Sequence, residues 1–159
     1  MVAASGAYLS SFTLAATEVT ERARLPMLTL SYSDLITSRG FKYVFQTSAT
    51  AAAQAEMALP VMLKLAESAG ARPKTVAIVA DNTGASVASV KPMRERLLKE
   101  LGLQLVVDET FTPPLADATP LIQKIRTARP DILFALPTAV SDAKLLLEKL
   151  NEFGLGQGK

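Results

Sequence analysis

The side chains that stand where a fold could use them are mostly hydroxyls and amides. Ser10 and Ser11 open an Ala/Glu-rich stretch with helical spacing. Ser31-Tyr32-Ser33 follows the apolar run 25–30, Asp81-Asn82-Thr83-Gly84 follows the run 75–80, and Pro137-Thr138-Ala139 follows the run 131–136. Residues 109–112 stand in the same relation to the run 103–107. If these runs are parallel strands, the groups after them lie beyond carboxyl ends, where open parallel sheets bind ligands. A hydroxyl both donates and accepts a hydrogen bond. A helix N-terminus adds unpaired N–H groups and a partial positive charge that suits a carboxylate. The chemistry offered is recognition of a small acid or zwitterion, with Ser10, Ser11, Ser31, Ser33, Asn82, Thr83 and Thr138 as candidate contacts. Tyr32, set between two serines in a polar loop, is expected as a pocket wall. Hydroxyl and amide residues before helices also serve as ordinary caps, and Asp81 also serves as the residue that holds its turn.

Groups that perform catalysis are scarce. The 159-residue chain has no Cys and no His, which removes thiol nucleophiles, Cys/His metal sites and the usual general base near neutral pH. Gly84-Ala85-Ser86-Val87-Ala88 lacks the second glycine of a nucleophile elbow. Neither a GxxxxGK[ST] phosphate cradle nor a GxGxxG turn is present. Asp108 and Glu109 are adjacent in a strand-like run and point to opposite faces. No catalysis, metal or cofactor is expected in this chain. Lys and Arg number 17 against 15 Asp and Glu, a net charge of +2, and they alternate in sign along residues 94–100 as on a solvated helix face. With aromatics at 6% and no Trp, the basic stripe and stacking platform of a nucleic-acid binder are missing. No apolar run reaches the roughly 18 residues that span a bilayer, and the first residues carry no signal-peptide pattern, so any export signal is expected upstream.

These groups need elements to position them. Helices are expected from Ser10 or Ser11 to about Arg24, with Ala15, Val19 and Ala23 on one face, and from Ser48 or Thr50 to about Ser68, with a kink or interruption at Pro60. Further helices are expected over 89–101, with Met93, Leu97, Leu98 and Leu101 inward, over 119–128 with Thr119 as cap and Pro120 at its first position, and over 141–153 closed by Gly154. Strands fall at 25–30, 43–46, 75–80, 103–107 and 131–136. Asp131 begins its strand, away from the binding ends, and is expected to be structural. Strand–helix alternation of this spacing predicts an α/β, Rossmann-like parallel sheet. Residues 1–46 hold too little to complete a sheet, and the glycine-rich tail 154–159 stands where another strand is expected. The chain is therefore expected to be a piece of something longer.

Three stretches carry a family resemblance. They are Gly6-Ala7-Tyr8-Leu9-Ser10-Ser11-Phe12-Thr13 leading to Leu25-Pro26-Met27; Ser31-Tyr32-Ser33 followed by Gly40-Phe41-Lys42-Tyr43-Val44-Phe45-Gln46; and Phe111-Thr112-Pro113, then Ile122-Gln123-Lys124-Ile125 and Arg129-Pro130-Asp131-Ile132-Leu133-Phe134. In this order the chain resembles the type I periplasmic solute-binding proteins of ABC importers, the leucine/isoleucine/valine-binding group. The resemblance implies two α/β lobes that close on a ligand, here incomplete, with residues 1–46 a partial first lobe and 47–159 most of the second. It implies that Ser10, with Ser11 adjacent, binds a ligand carboxylate, and that Ser31 and Ser33 contact the head group. Two departures stand out. The family's frequent Asp…Tyr-Gly pattern is here Asp81-Asn82-Thr83-Gly84, and a frequent later aromatic is Thr138. The implied function is an extracytoplasmic solute-binding component for branched-chain amino acids or related small carboxylates, aromatic ones included. It would be located in the periplasm or outside the cell, with a membrane ABC permease as partner. A ligand-sensing receptor or regulator domain of the same fold is the alternative. Ala15, Val19 and Leu28 are expected to be exposed and to favour self-association of the piece.

Overall fold

The computed structural model describes residues 2–155. Residues 156–159 of the tail, where a path into another strand is expected, lie outside that range. The first part runs β1 (Ala4–Ser5), α1 (Ser10–Arg22), β2 (Met27–Thr29), α2 (Leu35–Ser38) and β3 (Val44–Gln46). The second runs α3 (Ala51–Ser68), β4 (Thr75–Asp81), α4 (Gly84–Pro92), β5 (Gln104–Phe111), α6 (Thr119–Ala128), β6 (Ile132–Leu136) and α7 (Val140–Glu152). Between α4 and β5 the helix widens into a π turn at Met93–Leu97 and ends as α5 (Leu98–Glu100). The strands form two parallel sheets, ordered β1-β2-β3 and β5-β4-β6.

The central strand β4 shows why the second sheet is covered on both sides. Val76, Ile78 and Ala80 face one core, with Leu59 of α3, Val90 of α4 and Met93, Leu97 and Leu98 beyond it. Ala77 and Val79 face the other, with Ile122 and Ile125 of α6 and Leu146 and Leu150 of α7. All five of these β4 residues are at most 1% exposed. An uninterrupted apolar run is what such a strand requires. At the strands' starting ends the Asp131 carboxylate accepts hydrogen bonds from the Lys74 and Thr75 amides and the Thr75 hydroxyl. These bonds, the one from the Lys74 amide foremost, hold its pKa below the ordinary carboxylate value, and its role is structural. Asp108 and Glu109 do point apart, to Arg94 on one side and Lys124 on the other.

Several expected boundaries move. The buried face of α1 is Ser10, Thr13 and Thr17, while Ala15, Val19 and Ala23 face outward. Threonine can line this interior because Thr17 donates to the Thr13 carbonyl at 2.7 Å and Thr13 to the Ala7 carbonyl at 2.9 Å. α3 runs unbroken through Pro60. Ala55 and Leu59 anchor it to the core just before the proline, and losing one helical hydrogen bond does not interrupt it. α4 begins five residues before the expected 89, because its first turn is small residues without apolar periodicity. The π turn follows Pro92, whose ring removes a helical donor. β5 extends to Phe111, so residues 109–111 are strand rather than loop. α6 is flanked by Ala118, and the Asp117 carboxylate, not the Thr119 hydroxyl, accepts the free Thr119 amide.

Replacing Leu59 by Ala is expected to lower unfolding stability by about 2–5 kcal/mol in denaturant titrations. Val19→Ser, on the outward face of α1, is expected to change it by less than about 0.5 kcal/mol. The opposite ranking would place Val19 on the inner face of α1.

Candidate functional site

Ser10 is the first residue of α1 and Leu9 flanks it, so no side chain caps the helix's first turn. Neither serine acts as the expected cap. The Ser10 hydroxyl oxygen instead accepts the amides of Tyr32 and Ser33, each at 3.2 Å. This pins the loop after β2 against the start of α1. Below it, the Ser31 hydroxyl lies 2.6 Å from both the Thr13 hydroxyl and the Ala7 carbonyl. The Ser33 hydroxyl accepts the Leu35 amide. Ser31 and Ser33 are each 1% exposed, so they shape the loop from beneath and do not line the space in front of it.

The facing wall comes from the carboxyl ends of β4 and β6. Asp81 ends β4 with no exposed surface. One carboxylate oxygen accepts the Thr83 amide at 3.0 Å and the Thr83 hydroxyl at 2.6 Å, and the other accepts the Thr138 amide. The Thr83 and Thr138 hydroxyls are 2.7 Å apart. Thr83 therefore flanks α4 without capping it, because its hydroxyl is turned to Asp81. Asn82 turns away, donating to the Thr112 hydroxyl at 2.8 Å on the exposed rim. Ser86 is no free nucleophile either, since its hydroxyl donates to the Leu136 carbonyl.

The two walls meet. The Ser11 hydroxyl accepts the Gly84 amide at 3.3 Å, and a methyl on Gly84 would touch Ser10, Ser11 and Leu14 at ordinary contact distance. Between the walls lies a space of about 70 Å³ lined by Tyr8, Leu9, Ser10, Ser11 and Tyr32 on one side and Thr83, Ala85 and Thr138 on the other. Five of the expected site residues thus converge, while Ser31, Ser33 and Asn82 do not reach the space. Tyr8, Leu9 and Ala85 are additions. Tyr8 precedes the helix by two residues and is 81% exposed, and nothing in its local spacing marks it. Larger hollows exist, such as a groove of about 550 Å³ between β5 and α6, but there Glu109 and Lys124 are paired to each other. Among the described residues no cluster of acidic side chains could hold a metal.

Burial raises the Asp81 pKa, but the hydrogen bonds from Thr138 and Thr83 outweigh it and leave the group below the ordinary carboxylate value. Folding therefore releases a proton from Asp81 at acid pH. Its stabilising contribution is present above its unfolded value, about 3.9, and fades as pH falls through its folded value. Between about pH 6 and about pH 3 the stability gap between wild type and Asp81→Asn is expected to narrow in denaturant titrations; a gap independent of pH would contradict the assignment.

The periplasmic binding protein family pattern matches residues 1–159. A Leu/Ile/Val-binding protein homologue of Brucella melitensis is 31% identical over 153 residues, 94% of this chain and 38% of its own length. A leucine-binding protein of Thermotoga maritima superposes with a TM-score of 0.83 at 21% identity, over 98% of this chain and 43% of that one. A solute-binding protein of an ABC transporter from Rhodopseudomonas palustris, solved with 3,4-dihydroxybenzoic acid, superposes with a TM-score of 0.75 at 23% identity, over 96% of this chain and 39% of that one. The chain thus spans well under half the length of these relatives, and its parallel sheets are those of the type I fold. By its sequence, the chain belongs to the periplasmic binding protein family.

Proposed function

We propose that this chain is part of an extracytoplasmic substrate-binding component of an ABC importer, which holds a branched-chain amino acid or a related small carboxylate between two lobes without transforming it. The sheet β1-β2-β3 belongs to the first lobe and the sheet β5-β4-β6 to the second, with residues 1–46 and 47–159 as their respective shares. The observation that carries this reading is the convergence across one narrow space of Ser10 and Ser11, at an uncapped helix start, with Thr83 and Thr138 at two strand ends. A carboxylate fits the first wall because the free N–H groups of α1 and the serine hydroxyls all donate.

At about 70 Å³ the space is too small for an amino acid or an aromatic ring, so capture requires the walls to part and close again. Among the described residues, the hydrogen bonds that cross between the walls include the one from the Gly84 amide to Ser11 and those at the start of α3. At α3, the Ala51 amide donates to the Tyr32 carbonyl at 2.6 Å and the Ala52 amide to the Asp34 carboxylate at 3.3 Å. Relatives named for leucine, isoleucine and valine support the amino-acid class, and the dihydroxybenzoate complex supports an aromatic acid. Family membership supports a periplasmic or extracellular location and a membrane permease as the partner of the closed form.

Calorimetry on the full-length, ligand-stripped protein, across branched-chain amino acids and aromatic acids, is expected to show saturable binding and recovery of unchanged ligand. Ser10→Ala is expected to weaken binding about 10–100-fold, the loss of one hydrogen bond to a charged group. No binding across the panel would overturn the reading.

A further inference from the structure

We propose that Asp81 fixes the hydrogen-bond polarity of the second wall, so that Thr83 and Thr138 offer only lone pairs to the cleft and select an acid bearing a hydroxyl or ammonium donor. The inference rests on the solute-capture reading and adds what the captured solute must carry. It follows from counting protons. A hydroxyl has one proton to donate. That of Thr83 goes to the Asp81 carboxylate at 2.6 Å. The Thr83 and Thr138 oxygens approach to 2.7 Å, a separation that needs a proton between them, and only Thr138 has one left to supply. The Ser86 proton goes to the Leu136 carbonyl at 3.0 Å.

Every hydroxyl proton on this wall is therefore committed inward, in a chain from Thr138 through Thr83 to a buried carboxylate. The lone pairs facing the cleft belong to oxygens polarised by that negative charge. A ligand N–H or O–H meets a strong acceptor there, whereas an ether or carbonyl oxygen meets lone pair against lone pair. The opposite wall has the reverse polarity. Ser10 accepts two amides and Ser11 accepts Gly84, which leaves both serine protons free for the solute. Donors on one side and acceptors on the other fix the ligand's orientation, carboxylate toward α1 and donor toward Thr83. Asp81 has no exposed surface; it is a positioning residue acting through the two threonines.

The test is calorimetry on the full-length, ligand-stripped protein with two matched pairs of probes. The first pair is 4-hydroxybenzoate and 4-methoxybenzoate, and the second L-leucine and 4-methylpentanoate; the pairs distinguish a hydroxyl from an ammonium donor. In at least one pair the donor-bearing acid is expected to bind about 10-fold or more tighter than its partner, as one good hydrogen bond against an unmatched oxygen allows. Thr83→Val, which keeps the shape and loses the acceptor, is expected to bring that ratio within about 3-fold. Thr83→Ser, which keeps the oxygen, is expected to retain it. Equal binding within both pairs by wild type, or a ratio unchanged in Thr83→Val, overturns the proposed polarity while leaving solute capture standing. Binding of none of the four acids is the separate result that removes the capture reading, and this inference with it.

Discussion

An ionised carboxylate without solvent is tolerable only where hydrogen bonds replace its water, and Asp81 places that demand at the end of the central strand. Its donors are the Thr83 amide and hydroxyl and the Thr138 amide. Meeting them sets the turn that starts α4 and binds the end of β6 to the end of β4. The second wall of the cleft is therefore a by-product of satisfying one buried charge. The same requirement turns the Thr83 hydroxyl away from capping α4, and so gives the wall its direction.

The first wall obeys a different constraint. Its sheet is thin, and one side of β2 and β3 leaves Leu28 and Phe45 about half exposed. What orders it near the cleft is a hydroxyl and carbonyl network centred on Ser31, Thr13 and Ser10 rather than apolar packing. Such a network is unforgiving, because each buried polar atom left unpaired costs about 1–3 kcal/mol. That stiffness would suit the donor wall proposed for the solute. The connection to the second part passes through the start of α3, which stays tied to Tyr32 and Asp34 while its body packs on β4 and α4. α3 is thus anchored to both parts.

The architecture was legible in the sequence where burial is two-sided or where Gly and Pro punctuate. The run 75–80, Pro120 within the first turn of α6 and Gly154 after α7 are such cases. It was not legible where polar groups replaced apolar ones inside. Ala15, Val19 and Ala23 do share one face of α1, and Ala15 and Val19 are exposed as expected, but nothing in the spacing marked the buried face, which is filled by threonines bonded to nearby carbonyls. The start of α4 carries no periodicity to read. Among the site residues, polar side chains at a helix start brought out Ser10 and Ser11, and position beyond a strand end brought out Tyr32, Thr83 and Thr138; all five converge. The strand-end rule also chose Ser31, Ser33 and Asn82, since sequence position does not say whether a polar side chain faces the cleft, the scaffold behind it or the rim. Asp81 read as a turn residue, which it is; that its other oxygen reaches Thr138, 57 residues on, is a long-range contact no local spacing encodes.

The central claim is that one solute bridges a donor wall on α1 and an acceptor wall at the ends of β4 and β6. A crystal structure of the full-length protein grown with its tightest-binding acid tests it most directly. The account predicts the ligand carboxylate within about 2.7–3.2 Å of the Ser10 and Ser11 hydroxyls, and a ligand donor at the same distance from Thr83 or Thr138. A ligand seated elsewhere with this cleft empty, or one held with its carboxylate against Thr83, would contradict it.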